Sequence, residues 1–128
     1  MVLELDEMFV CSKKIWLWTA VNRKTKRLVG FYVGDRSSKI FENFCENISH
    51  IDARFYATDQ YSVYNIIPRH KRLVGKAHTY TVERMNRLLR HYLSRFARKT
   101  YCWSKSFNMI ISYVFLFLYR DFFSSIHF

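Results

Sequence analysis

Glycine and proline are almost missing from this sequence, with three glycines and one proline in 128 residues. That scarcity excludes long flexible or proline-stiffened linkers, and the length suits one compact domain. It also leaves no glycine-rich phosphate loop, so nucleotide hydrolysis is not indicated. Cysteine is scarce as well. Cys11, Cys45 and Cys102 are far apart and form no CxxC pair. They support neither a zinc ribbon nor a disulfide framework, and reduced thiols in a cytoplasm are the simplest reading. The histidines show no zinc spacing with them. A secretory signal is missing too: Glu4, Asp6 and Glu7 stand where a signal would carry basic residues and then an apolar run. The longest apolar stretch, residues 107–119 (FNMIISYVFLFLY), is shorter than the roughly 20 residues a bilayer span needs. A buried helix fits it better than a membrane helix.

Acidic residues are the last shortage. Ten Asp and Glu face 21 Lys and Arg, a formal net charge of +11. Such a surplus suits a polyanionic partner, because each cation laid on a phosphate releases counterions. A basic surface that is merely solvated is the competing explanation, and composition weighs the two equally. What the chain has in plenty is core material: half its residues are hydrophobic and 19% aromatic, which excludes a disordered tail.

Periodicity then sets the element order. Residues 1–10 (MVLELDEMFV) alternate, with Val2, Glu4 and Asp6 on one face and Leu3 and Leu5 on the other, a strand pattern with acids inside it. Residues 15–21 and 27–33 read as two more strands around a polar turn at 22–26, an antiparallel meander. Asp35, Ser37 or Ser38 can cap a helix in which Ile40, Phe41, Phe44, Cys45 and Ile48 recur at helical spacing. A fourth strand at 53–58 ends at Asp59. A short helix at 61–67 is stopped by Pro68, and residues 69–76 form a basic loop with a short strand. Thr81 can cap a long helix over 82–99 whose apolar stripe is Val82, Met85, Leu89, Tyr92, Leu93 and Phe96. A last helix begins near Ser104 or Lys105. Mixed elements in this order predict an α/β sheet covered by helices.

Three acids stand out by position: Asp6 inside the first strand, Asp59 at the end of the fourth, and Glu83 at the start of the long helix. An acid in an apolar strand is costly unless it is paired or binds a cation. Carboxylates at strand ends and a helix start can converge on a hard cation, and a pair of ions about 4 Å apart suits displacement at phosphorus. Each also has an ordinary explanation. Asp6 can be a solvated edge acid with Glu7 as the functional one, Asp59 can cap the next short helix, and Glu83 can favour the helix dipole.

The sequence resembles transposases of the bacterial IS-one insertion-sequence family, of the ribonuclease H-like DDE type. The resemblance rests on LDEMFV around Asp6, YATDQYSVY around Asp59, and YTVERMNRLLRHYLSRFARKTYCWSKS from Tyr80 onward. It covers about residues 1–110, and Glu83 follows Asp59 by 24 positions, as in that family. It implies a ribonuclease H-like α/β fold, a mixed sheet with its first three strands antiparallel, flanked by helices. Residues 1–106 would form the catalytic domain, and residues 107–128 an apolar helix and tail packed on it. Asp6, Asp59 and Glu83 would be both the catalytic residues and the ligands of Mg²⁺ or Mn²⁺. The activity implied is cleavage and strand transfer at insertion-sequence ends.

Arg90, seven positions after Glu83, matches a basic residue that these enzymes carry, and could clamp a phosphate. With Arg84, Arg87, Arg95, Arg98 and Lys99 it makes a cationic helix almost without balancing acids, favouring DNA over simple solvation. Arg69, His70, Lys71 and Arg72 add a loop cluster. The implied partners are double-stranded DNA, as transposon ends and as target, with a homo-oligomer a further partner to test. The expected location is cytoplasmic and nucleoid-associated, without a membrane. Gln60 departs from the small residue the family often carries after its second Asp. The chain also begins almost at the first catalytic strand, so it reads as a downstream frame without the family's N-terminal DNA-recognition region. A structure-selective nuclease of the same fold, a non-catalytic DNA-binding remnant and a small membrane-associated basic protein are the rival readings.

Overall fold

The computed structural model describes residues 1–12, 14–97 and 107–126. Five strands form one sheet in the order β3-β2-β1-β4-β5, with β1 Val2–Ser12, β2 Ile15–Asn22, β3 Arg27–Gly34, β4 Phe55–Thr58 and β5 Arg72–Val74. The first three are the antiparallel meander expected from their alternation, while β4 runs parallel to β1 and β5 parallel to β4. Helix α1, Ser38–Ile48, begins at Ser37, whose hydroxyl accepts from the Ile40 N–H at 3.3 Å. Helix α2 covers Tyr80–Ala97 and helix α3 covers Phe107–Ile126. The stretch 61–67 is a 3₁₀ turn, Ser62–Ile66, and two further 3₁₀ turns flank the short β5.

Strand alternation sends alternate residues of β1 into two separate cores. Leu3 and Leu5 meet Trp18, Phe41, Phe44, Ile48 and Tyr64 under α1. Met8 joins Leu17, Val82, Met85, Leu89, Leu93, Ile110 and Val114 under α2 and α3. The first core is aromatic: Trp18 and Phe41 have ring centroids 5.4 Å apart, and Phe41 and Tyr64 stand edge-to-face at 5.1 Å. Such pairs contribute about 0.5–1.5 kcal/mol each beyond the area they bury. Of the two tryptophans of β2, Trp18 is buried, while Trp16 is only half-buried.

Two expectations need correction. Thr81 does not cap α2. The helix begins at Tyr80, the Thr79 carbonyl accepts the first helical bond from the Glu83 N–H at 3.1 Å, and Thr81 lies inside the first turn. The reason is a cap supplied from the sheet, described below. The apolar C-terminal helix is also not buried all round. Ile110, Val114 and Phe117 face the core, but Phe115, Leu116 and Tyr119 are about half exposed. No helix among the described residues is long and apolar enough to cross a membrane. The expected start of that helix, near Ser104 or Lys105, and Trp103 lie outside the described residues.

Candidate metal centre

The parallel register of β1 and β4 builds the site. Glu4 is paired with Ala57. Two residues further along both strands, where β4 has ended, come Asp6 and Asp59. Asp6, Glu7 and Asp59 each offer a carboxylate oxygen, and these lie within 4.8 Å of one another. Asp6 is partly buried on the α2 side of the sheet, opposite Thr19 of β2. Asn86 of α2 donates to Asp6 Oδ2 at 2.9 Å and accepts from the Thr19 hydroxyl at 2.8 Å. Burial, with the neighbouring charges of Glu7 and Asp59, pushes the Asp6 carboxyl up to about 7. Asp59 accepts from the Tyr61 N–H at 2.9 Å, which fixes the loop after β4.

Glu7 and Glu4 are engaged differently. Glu7 accepts from the buried Tyr64 hydroxyl and from Arg36 at 3.0 Å. Burial raises its carboxyl above the ordinary value, and the bonds from Tyr64 and Arg36 oppose that rise. Glu4, fully buried, accepts from the Thr81 and Val82 N–H groups at 2.7 and 3.0 Å, and from Arg23 at 2.9 Å. Arg23 also donates to the His78 carbonyl at 2.7 Å. The first N–H groups of a helix have no partner inside it. Here a carboxylate on a distant strand takes two of them and thereby docks α2 on β1.

Glu83 lies in the first turn of α2, between the residues that Glu4 holds and Asn86, which holds Asp6. Its carboxylate accepts from the Thr79 hydroxyl at 3.3 Å and is not in the group of three mutually close acids. The structure thus brings Asp6 and Asp59 together, adds Glu7, and leaves Glu83 in the first turn of α2, outside that group. Arg84, Arg87 and Arg90 are exposed on α2. The side chain of Arg95 and all of Arg98 and Lys99 lie outside the described residues. Glu4 and Asn86 were missed by sequence reasoning. Asn86, a lone amide in the apolar stripe of α2, was the one legible signal for its own part.

A family described as IS1 transposase matches residues 1–124 of the chain. The chain belongs to the IS1 transposase family. It is 34% identical over 111 residues to the insertion element iso-IS1n protein InsB of Shigella dysenteriae, covering 83% of this chain and 85% of that protein. To the IS1 4 protein InsB of Escherichia coli K12 it is 29% identical over 111 residues, spanning 66% of that protein's length. The catalytic core domain of BIV integrase has the same fold, with a TM-score of 0.64 at 13% identity, over 87% of this chain and 78% of that one. This IS1-family chain is therefore a transposase relative with an integrase-like, ribonuclease H-like core.

The donor set fits a divalent ion of the kind DDE enzymes use. All donors are carboxylate oxygens, the choice of a hard cation. Burial raises Asp6 and Glu7, the neighbouring acids add to the rise, and a cation relieves that repulsion.

Proposed function

We propose that residues 1–106 form a DDE transposase catalytic domain, with residues 107–128 as an apolar helix and tail added to it, and that Asp6, Asp59 and Glu83 hold Mg²⁺ or Mn²⁺. One observation carries this choice of ligands. Two of the acids around the site hold an arginine in an ion pair, Glu4 with Arg23 and Glu7 with Arg36. The two acids with cationic partners are thus structural anchors. Asp6, Asp59 and Glu83 accept hydrogen bonds, among the described residues, only from neutral donors: the Asn86 amide, the Tyr61 N–H and the Thr79 hydroxyl. Partly buried negative charge with no ion-paired cation is where a divalent ion gains most.

The ion, when bound, supplies Lewis-acid stabilisation of charge at a phosphodiester and an activated oxygen nucleophile. The chain's own residues do the rest. Asn86 orients Asp6, and Tyr61 holds Asp59. The exposed Arg84, Arg87 and Arg90 of α2 contact the backbone of double-stranded DNA. One site serves both cleavage at an insertion-sequence end and joining of the freed 3′ end to target, because each is displacement at phosphorus. Phosphate contacts carry no direct sequence information, so residues 1–128 are expected to bind end sequences and scrambled DNA alike.

The test is cleavage and strand transfer of labelled end DNA with Mg²⁺ or Mn²⁺. Asp6→Asn, Asp59→Asn and Glu83→Gln should each lower the rate at least about a hundredfold, about 2.7 kcal/mol of barrier. Full activity in Glu83→Gln would remove Glu83 from the ligand set. Cleavage without joining would favour a nuclease.

A further inference from the structure

Arg36, in the connection between β3 and α1, is held far more firmly than neutralising Glu7 requires. Its Nε and one terminal nitrogen both donate to Glu7 Oε1, at 3.3 and 3.0 Å. Its guanidinium carbon lies 4.1 Å from the centre of the Tyr61 ring and 4.8 Å from that of Trp16. Its backbone carbonyl accepts from the Tyr61 hydroxyl at 2.8 Å. A free arginine side chain loses about 2 kcal/mol of rotamer entropy when fixed. Glu7 and the two rings offset that cost, and Glu7 uses only one edge of the fork. The side chain remains 43% exposed, and its other terminal nitrogen has no partner among the described residues.

Arg36 also lines a cavity of about 540 Å³, with Asp59, Gln60, Tyr61, Gly75 and Lys76, a size typical of ligand sites. Lys76 is exposed and its ammonium has no partner among the described residues. Gly75 has φ +127°, and a β-carbon built on it would meet nothing within 4 Å. Only glycine adopts that backbone readily, and it leaves a bare wall along which a chain can approach closely. The lining holds two cations, Arg36 shared with Glu7 and Lys76 without an ion-pair partner among the described residues, against the one acid Asp59, so an anionic group has a cation to meet. The Asp59 carboxylate belongs both to this cavity and to the acidic cluster, so whatever fills the cavity lies beside the metal centre.

We propose that this cavity is a phosphate-binding subsite for the DNA strand next to the reacting phosphodiester, with Arg36 and Lys76 as its contacts and Tyr61 tying Arg36 to the Asp59 loop. It rests on the reading of this chain as a DDE transposase domain. It adds a second basic element, separate from α2, that would fix where the strand enters.

The experiment is a salt titration of binding to a labelled DNA duplex by fluorescence anisotropy, with Arg36→Gln and Lys76→Gln in the full chain. Each variant should bind more weakly and lose about 0.9 from the slope of log K against log salt. Lys24→Gln, in the exposed turn between β2 and β3, should change nothing. Wild-type slopes in both variants would overturn the subsite and leave the transposase reading standing. A wild-type chain that binds no duplex would overturn the reading and the subsite with it. Thermal melts accompany the titration. If Arg36→Gln unfolds through loss of its bond to Glu7, Lys76→Gln decides alone, since Lys76 makes no side-chain contact that the fold depends on.

Discussion

Asn86 of α2 and Asp6 of β1 are joined at 2.9 Å across the packing plane between helix and sheet. Asn86 is 4% exposed in a stripe otherwise made of Val82, Met85, Leu89 and Leu93. A buried amide there is costly unless both its ends are used, and they are, by Asp6 and by Thr19. Asn86→Ala should therefore destabilise the chain by about 1–3 kcal/mol, the cost of leaving buried partners unsatisfied. Urea unfolding of the variant checks this, and a loss under about half a kcal/mol would mean that water replaces the amide freely.

Glu4 and Arg23 make a second prediction. Truncating one member of a buried pair costs about 3–5 kcal/mol, because the other charge is stranded. Arg23→Ala strands the buried Glu4 carboxylate and should approach that range, reduced by the two helix N–H groups that Glu4 keeps. Glu4→Ala leaves a partly exposed Arg23 that water can reach, so its cost should come mainly from uncapping α2, and the double variant should cost much less than the sum. Additive losses in that cycle would show that the two side chains act independently.

Stability without divalent ions should depend on pH with a definite sign. Asp6 titrates at about 7 in the fold against 3.8 ordinarily. Between those values the folded chain keeps a proton that the unfolded chain has released. Metal-free stability should thus fall as pH rises from about 4 to about 7 and then level off. Glu7, also raised, adds in the same direction. Mg²⁺ competes with the proton, so it should lift the melting temperature more at about pH 8 than at about pH 5. In Asp6→Asn both the slope and the lift should shrink. A melting temperature flat across that range would contradict the crowded-acid picture.

Glu7 and Glu83 can be told apart by what they break. Glu7→Gln weakens the anchor of Arg36 and should lower stability, with Mg²⁺ still raising the melting temperature. Glu83→Gln should leave the metal-free melt near wild type and abolish the Mg²⁺ lift. The reverse pattern would make Glu7 the ligand and Glu83 a helix-end acid.

How much of this was legible beforehand follows from the range of each interaction. The meander and α1 were readable because alternation, the polar turn and the cap at Ser37 are local. Asp6 and Asp59 were found because an acid in or just after an apolar strand conflicts with its surroundings. A short strand was expected within residues 69–76, but its three residues show no periodicity, so its limits and its parallel partner came only from pairing with β4. Glu4 escaped notice because its partners are Thr81 and Val82, and no local pattern encodes a cap lent by a remote strand. Arg36 was unremarked for the same reason: Glu7, Trp16 and Tyr61 come from three separate segments.

The cap that Glu4 lends to α2 joins positions 77 apart, and this has a bearing on biosynthesis. A helix with a local cap can start as soon as it leaves the ribosome. Here the N-terminal turn of α2 stays unsatisfied until it docks on β1, a long loop closure that folding must complete first. The turn carrying Glu83 would then be among the last parts to settle, and during hydrogen exchange its amides would open earlier than those of the meander. A nascent or damaged chain would in that case hold its sheet before the turn that carries Glu83 had docked.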